Sequence, residues 1–175
     1  MVPPLFCECK DTTFFITFTK KNYFFQNIFL FIHYQYICKK KNMNKVLTID
    51  IGNTRSKYAI FGDDIIIESG IFDPYSDDLK EIIKKHPEIK TSILSSVGGK
   101  VEECLEQLKE IEVVTVSGLS PLPFEIPYAN KEQIGSDRIA AVAGAMSIKP
   151  NENNLIIDIG TCITYDIVTY DNIYH

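Results

Sequence analysis

Neither G-x-x-x-x-G-K-S/T nor G-x-G-x-x-G occurs anywhere in the 175 residues, so P-loop and Rossmann readings have no sequence support. Positive charge is scarce as well, with 18 Lys and Arg against 23 Asp and Glu and a net charge of −5. A phosphate-backbone binder needs a concentration of cations on one face, so a nucleic-acid module is excluded. No C-x-x-C pair is present: Cys7 and Cys9 have one residue between them, and Cys104 and Cys162 fall in patterns that read as buried. Five cysteines so placed form no disulfide or zinc framework and suit a reducing cytoplasm. A run of about 20 apolar residues, the length of a spanning helix, is also missing.

What is present divides sharply near residue 42. Residues 1–42 carry six Lys against one Asp and one Glu, a balance of +4, which leaves −9 for residues 43–175. The same leader holds 11 of the 20 aromatics. Its segment 23–38 (YFFQNIFLFIHYQYIC) is flanked by lysines and raises the question of a membrane segment. Gln26, Asn27, His33 and Gln35 interrupt that run, and no small-residue cleavage site follows, which argues against a span or a signal peptide. The other reading is translation of an upstream AT-rich stretch, spurious or disordered in the product, with Met43 as the start.

From Met43 onward strand and helix patterns alternate. Val46 to Ile51 is β-branched and apolar and ends at the turn pair Gly52-Asn53. Lys57 to Phe61 and Ile65 to Ile71, separated by Gly62-Asp63-Asp64, read as an antiparallel hairpin. Helical spacing follows at Leu79, Ile82 and Ile83, and again at Val101, Cys104, Leu105 and Leu108, with a strand over 91–96 between them. A short strand over 113–116 leads into a loop with Pro121, Pro123 and Pro127. A third helix is expected from Ser136, burying Ile139, Val142, Ala143 and Met146. The order is β-β-β-α-β-α-β-α, an α/β domain with a mixed sheet over residues 43–150.

Asp158-Ile159-Gly160-Thr161 then restates Asp50-Ile51-Gly52 plus a hydroxyl-bearing residue 108 positions later, and a strand over 163–168 follows. Such a repeat implies two related domains facing each other, the second beginning at about residue 151. Two strands cannot bury their own apolar face, so residues 151–175 are expected to pack on the first domain or fray.

Asp50 to Lys57 places a carboxylate at a strand end, then a Gly-Asn turn with exposed N–H groups, a hydroxyl and a cation. Such a hairpin can cradle phosphate oxygens while the carboxylate holds hydrated Mg²⁺. An ordinary β-hairpin is the alternative. Gly135-Ser136-Asp137-Arg138 opens the third helix, where unpaired N–H groups and the helix dipole keep an aspartate ionised. There the alternative is a plain N-terminal charge with Ser136 as cap.

DIGNTRSK at 50–57, GSDR at 135–138 and DIGTCITYD at 158–166, in this order and spacing, resemble the three signature motifs of type III pantothenate kinases, members of the acetate and sugar kinase, Hsc70 and actin superfamily. The resemblance covers about residues 44–170 and implies an actin-like, ribonuclease H-like ATPase domain plus the first strands of a similar second one. It implies transfer of the ATP γ-phosphoryl group to pantothenate in coenzyme A synthesis, by a cytoplasmic homodimer. On that reading ATP is bound by Asp50, Ile51, Gly52, Asn53, Thr54, Arg55, Ser56, Lys57 and Thr161. Asp137 is the general base, and Tyr128, Gly135, Ser136, Asp137 and Arg138 hold pantothenate. Asp50 serves Mg²⁺ through water, and Asp158 the monovalent cation, K⁺ or NH₄⁺. Another actin-like sugar kinase or ATPase would share the Asp-x-Gly loops without GSDR nine residues after a Tyr. A non-catalytic regulatory protein is the other alternative.

Overall fold

The computed structural model describes residues 5–9, 12–18, 45–62, 65–159 and 162–175. Among these residues nine strands and three α-helices follow one another: β1 Leu5–Cys9, β2 Thr12–Phe18, β3 Lys45–Ile51, β4 Ser56–Gly62, β5 Ile65–Phe72, α1 Asp78–Lys85, β6 Thr91–Ser96, α2 Val101–Gln107, β7 Glu112–Thr115, α3 Ser136–Ile148, β8 Asn153–Ile159 and β9 Ile163–Val168. From β3 to α3 this is the expected order, and strand ends there differ from the sequence reading by at most one residue. By sequence the leader reads as spurious or disordered, with a possible membrane segment. Within it the structure describes the two strands β1 and β2, while segment 23–38, considered above for the membrane, lies outside the described residues.

A five-stranded sheet runs β5-β4-β3-β6-β7, with β3, β6 and β7 parallel and β4 and β5 antiparallel. Helices cover both faces, so β3 is buried along nearly its whole length and reads as an almost continuous apolar run. Side chains alternate across it. Leu47, Ile49 and Ile51 join Leu79, Ile82, Cys104 and Leu108 of α1 and α2 and the turn after α2, whereas Val46 belongs to the core built around α3. By the period of two, Thr48 and Asp50 share the α3 side with Val46. The α2 stripe is narrower than its spacing suggested, since Leu105 stays exposed.

The second sheet, β1-β2-β8-β9, carries the repeated motif. Its β8–β9 hairpin restates β3–β4: each first strand has seven residues with aspartate sixth, Asp50 opposite Lys57 and Asp158 opposite Thr164. On the far side β3 pairs in parallel with β6, and β8 pairs in parallel with β2. Ile156 of β8 and Val168 of β9 enter the same core as α3, so the second hairpin hides its inner face against the first domain. Asp158 and Asp166 lie on that inner side by the same alternation.

Helix α3 therefore runs between two sheets. Almost every residue from Ser136 to Met146 is buried, and the run of alanines allows close approach on all sides. The chain end packs as well: Tyr174 is 2% exposed beside Phe124, and Tyr174 N donates to Glu125 O at 2.9 Å. One buried cysteine expected from the sequence is not found. Cys104 is buried in α2, but Cys162 is exposed because it lies between β8 and β9, beyond the covered part of the hairpin.

Candidate functional site

The β3–β4 turn is built around Gly52. Its N–H donates to Arg55 O at 3.1 Å, and a Cβ at this position would stand 3.0 Å from that same oxygen. Only a residue without a side chain leaves that approach unstrained. Asn53, Thr54 and Arg55 stand exposed at the tip, while Ser56 and Lys57 return into the interior. Ile51 points into the α1–α2 core and offers a ligand only backbone; its carbonyl accepts from Val97 N at 3.2 Å. The Ser56 hydroxyl is buried and among the described residues meets no hydrogen-bond partner.

Asp50 and Lys57 are directly opposed across the hairpin and each is 8% exposed. Burial pushes the Asp50 carboxyl up to about 6; Lys57 opposes the rise, while the negative charges of Asp137 and Asp158 add to it. Lys57 is pulled below the ordinary lysine range by burial, and Asp50 offsets part of that fall. Asp50 thus feels a carboxylate from each of the other two motifs, Asp137 at the start of α3 and Asp158 on the second sheet, besides the lysine opposite it.

Asp137 sits in the first turn of α3, where its Oδ1 accepts from Arg138 N at 2.8 Å. The sequence argument that helix N–H groups hold it ionised is only half of the balance. Protein mass around the carboxyl raises its pKa, outweighing the two backbone N–H groups, and Asp158 and Asp166 add repulsion. A raised pKa makes this group a stronger proton acceptor than an ordinary aspartate. Gly135 leaves room for it, because a Cβ there would meet Asp137 Oδ1 at 2.5 Å.

Ser136 is not the helix cap. Gly135 holds that place with no side-chain cap bond, and the Ser136 hydroxyl accepts from Ser96 N at 2.9 Å and donates to Ser96 O at 2.9 Å. It also lies 3.0 Å from Ser95 Oγ. The reason is register: Ser95 is opposite Asp50 and points to the α3 side of the sheet. These bonds lock the start of α3 to the end of β6, and Gly98 of the following loop comes within 3.5 Å of Asn53 Oδ1 for an added Cβ. The β6 end is thus a third wall of the site.

Arg138 reaches β9. Its Nε donates to Asp166 Oδ1 at 2.8 Å, and Tyr174 donates its hydroxyl to the same oxygen at 2.5 Å. Tyr128, 44% exposed, meets the Tyr174 ring edge-on with centroids 6.0 Å apart. Asp166 and Tyr174 had no role in the sequence reading. Asp166 ends the third motif and could have been found there; nothing local marks Tyr174. Thr161 lies outside the described residues, and Asp158, one residue before the end of β8, is half-buried.

The cation expectations can be judged on the donor set. A desolvated Asp50 repelled by two further carboxylates gains from a nearby positive charge beyond Lys57, and oxygen donors suit a hard ion. Among the described residues no three His, Cys, Asp or Glu side chains are grouped to hold a metal unaided. Water and phosphate oxygens would have to complete the shell of Mg²⁺, which is how that ion is ordinarily held. No helix among the described residues is long and apolar enough to cross a membrane.

Comparison with known proteins agrees with the motifs. The family model for type III pantothenate kinase matches residues 46–175. The type III pantothenate kinase of Flavobacterium psychrophilum is 38% identical over 132 residues, 74% of this chain and 55% of that protein. That of Christiangramia forsetii is 40% identical over 131 residues, 73% of this chain and 54% of its own length. A third, from Flavobacterium johnsoniae, is 33% identical over 132 residues. The chain spans about half the length of the curated relatives it matches.

Proposed function

The chain belongs to the type III pantothenate kinase family, and from that membership we infer that it serves the ATP-dependent phosphorylation of pantothenate to 4′-phosphopantothenate, the first step of coenzyme A synthesis. The observation that carries this reading is the buried pair of Asp50 and Lys57, directly opposed at the end of β3 and β4, with Asp137 and Asp158 of the other two motifs near enough to raise the Asp50 carboxyl. Phosphoryl transfer asks a protein chiefly for positioning and charge neutralisation, which such a cluster can supply.

In the proposed reaction the 50–57 loop holds the ATP phosphates. Gly52 lets the backbone approach, Asn53, Thr54, Arg55 and Ser56 offer donors, and Lys57 contributes positive charge near the transferred group. Asp50 would hold Mg²⁺ through water, and Asp158 a monovalent cation, K⁺ or NH₄⁺; these ions supply neutralisation of phosphate charge. Asp137 accepts the proton of the primary hydroxyl of pantothenate as that oxygen bonds to the γ-phosphorus. The bond from γ-phosphorus to the bridging oxygen breaks, and ADP leaves with the electron pair. Arg138 binds the pantothenate carboxylate, and Tyr128 and Gly135 line the same side. A homodimer is part of this reading.

The test follows isotope-labelled pantothenate with the chain, ATP, Mg²⁺ and K⁺, reading both product and bound substrate. Phosphorylated product, or nucleotide-dependent retention of pantothenate, is expected. Absence of both would overturn the reading. Neither the geometry nor the comparisons favour the regulatory alternative or another actin-like kinase.

A further inference from the structure

Asp166 is buried to 1% exposure on β9, directly opposite Ile156 and two residues from Val168, both in the α3 core. An apolar side chain would fill such a place without the cost of desolvating a carboxylate. Its hydrogen bonding is lopsided. Oδ1 receives Arg138 Nε at 2.8 Å and the Tyr174 hydroxyl at 2.5 Å, with Arg138 Nη2 2.7 Å away. Oδ2 is buried and has no partner among the described residues. A carboxylate kept for the fold alone would gain most by using both oxygens; here every donor gathers on the one that faces Arg138 and Tyr174.

Those donors lead to two residues outside the core. The bonds from Arg138 to Asp166, and from its Nη2 to Tyr165 O at 3.2 Å, take up Nε and Nη2 and leave Nη1 outside them. With 38% of its side chain exposed, the guanidinium is held at its base and open at its edge. Tyr174, fixed through its hydroxyl, presents its ring edge-on to Tyr128, with an interplanar angle of 82°. The backbone reinforces the second link, since Glu125 N donates to Asn172 O at 2.8 Å and Tyr174 N to Glu125 O at 2.9 Å. Residues 172–174 thus strap the loop that carries Tyr128.

We propose that Asp166 is the positioning residue for substrate recognition: it orients the Arg138 guanidinium directly and the Tyr128 ring through Tyr174, making one carboxylate-binding edge from two distant parts of the chain. The proposal rests on the reading of pantothenate as substrate. A pre-oriented guanidinium loses less freedom on pairing with a carboxylate than one free to rotate. The role would therefore appear in affinity for the acid and not in nucleotide binding.

Calorimetric titration of the full chain tests this with three ligands: pantothenate, a pantothenamide in which the carboxylate is capped as an uncharged amide, and ATP. Asp166→Asn keeps the shape and removes the charge. It is expected to weaken pantothenate binding by at least about tenfold, the scale of one hydrogen-bonded charge, while the amide and ATP change by less than about twofold. Tyr174→Phe, which keeps the ring and the core, is expected to weaken pantothenate by about threefold with the same selectivity; it decides the matter where Asp166→Asn does not fold. Equal losses for acid and amide mean a structural role and overturn the proposal, as does wild-type affinity in both variants. A wild-type chain that fails to bind pantothenate overturns the substrate reading itself, and with it this one.

Discussion

Asp50 and Lys57 face each other across the β3–β4 hairpin, both nine-tenths buried, and burial shifts each toward its neutral form. An ion pair placed so deep is a poor device for stability, because desolvation offsets most of the attraction. At the end of a central strand, beside two more carboxylates, it is a place where a charged ligand gains most.

The pH dependence of stability should carry the mark of Asp50. Its carboxyl is raised from 3.8 to about 6, so the folded chain binds this proton more tightly than the unfolded chain does. The resulting stabilisation is present in full below about pH 4, is lost as pH rises to about 6, and amounts to roughly 3 kcal/mol. In urea unfolding of the metal-free chain, the stability of Asp50→Asn relative to wild type should rise between pH 4 and 7. A difference that stays flat with pH would show that Asp50 is not raised.

Asp137→Asn should lower turnover by about 10²- to 10⁴-fold, the usual contribution of a positioned base. Affinity for ATP should hardly change, since the turn proposed to bind its phosphates belongs to the β3–β4 hairpin and not to α3. Single-turnover kinetics with parallel nucleotide titration separates the two effects. Full turnover in this variant would remove Asp137 from the chemistry.

Gly135→Ala tests the space beside Asp137, the proposed base. The added methyl would meet Asp137 Oδ1 at 2.5 Å and must displace the carboxylate. A loss of about 10²-fold in turnover is expected from such misplacement, with circular dichroism unchanged. Unimpaired activity would mean the carboxylate does not act from its observed position.

Ser136→Ala removes the lock between α3 and β6. Ser96 N and Ser95 Oγ each lose a partner in a part-buried site, and chemical denaturation should register about 1–3 kcal/mol of lost stability. A midpoint equal to wild type would assign these bonds no weight.

How much of this was legible beforehand differs from element to element. The 46–51 strand, the helix from Ser136 and its buried face at Ile139, Val142, Ala143 and Met146 followed from spacing alone. The aspartates at 50 and 158 were visible as a repeat, and their equal place on two seven-residue strands agrees with it. Strands β1 and β2 were missed because their pairing with β8 is long-range, and aromatic, lysine-rich composition masked any alternation. Exposed Cys162 was misread because a short apolar run does not reveal where a hairpin turns.

The sequence by itself determined the strand periods, the glycines at positions 52 and 135, and three motifs whose order points to one family. These are local properties, written in neighbouring residues. Only the tertiary structure decided that Ser136 serves β6 instead of capping its own helix, that burial outweighs the helix N-terminus at Asp137, and that Asp166 and Tyr174 stand behind Arg138 and Tyr128. Each of those outcomes depends on α3 packing between two sheets, which joins residues far apart in the chain and exchanges their water for one another.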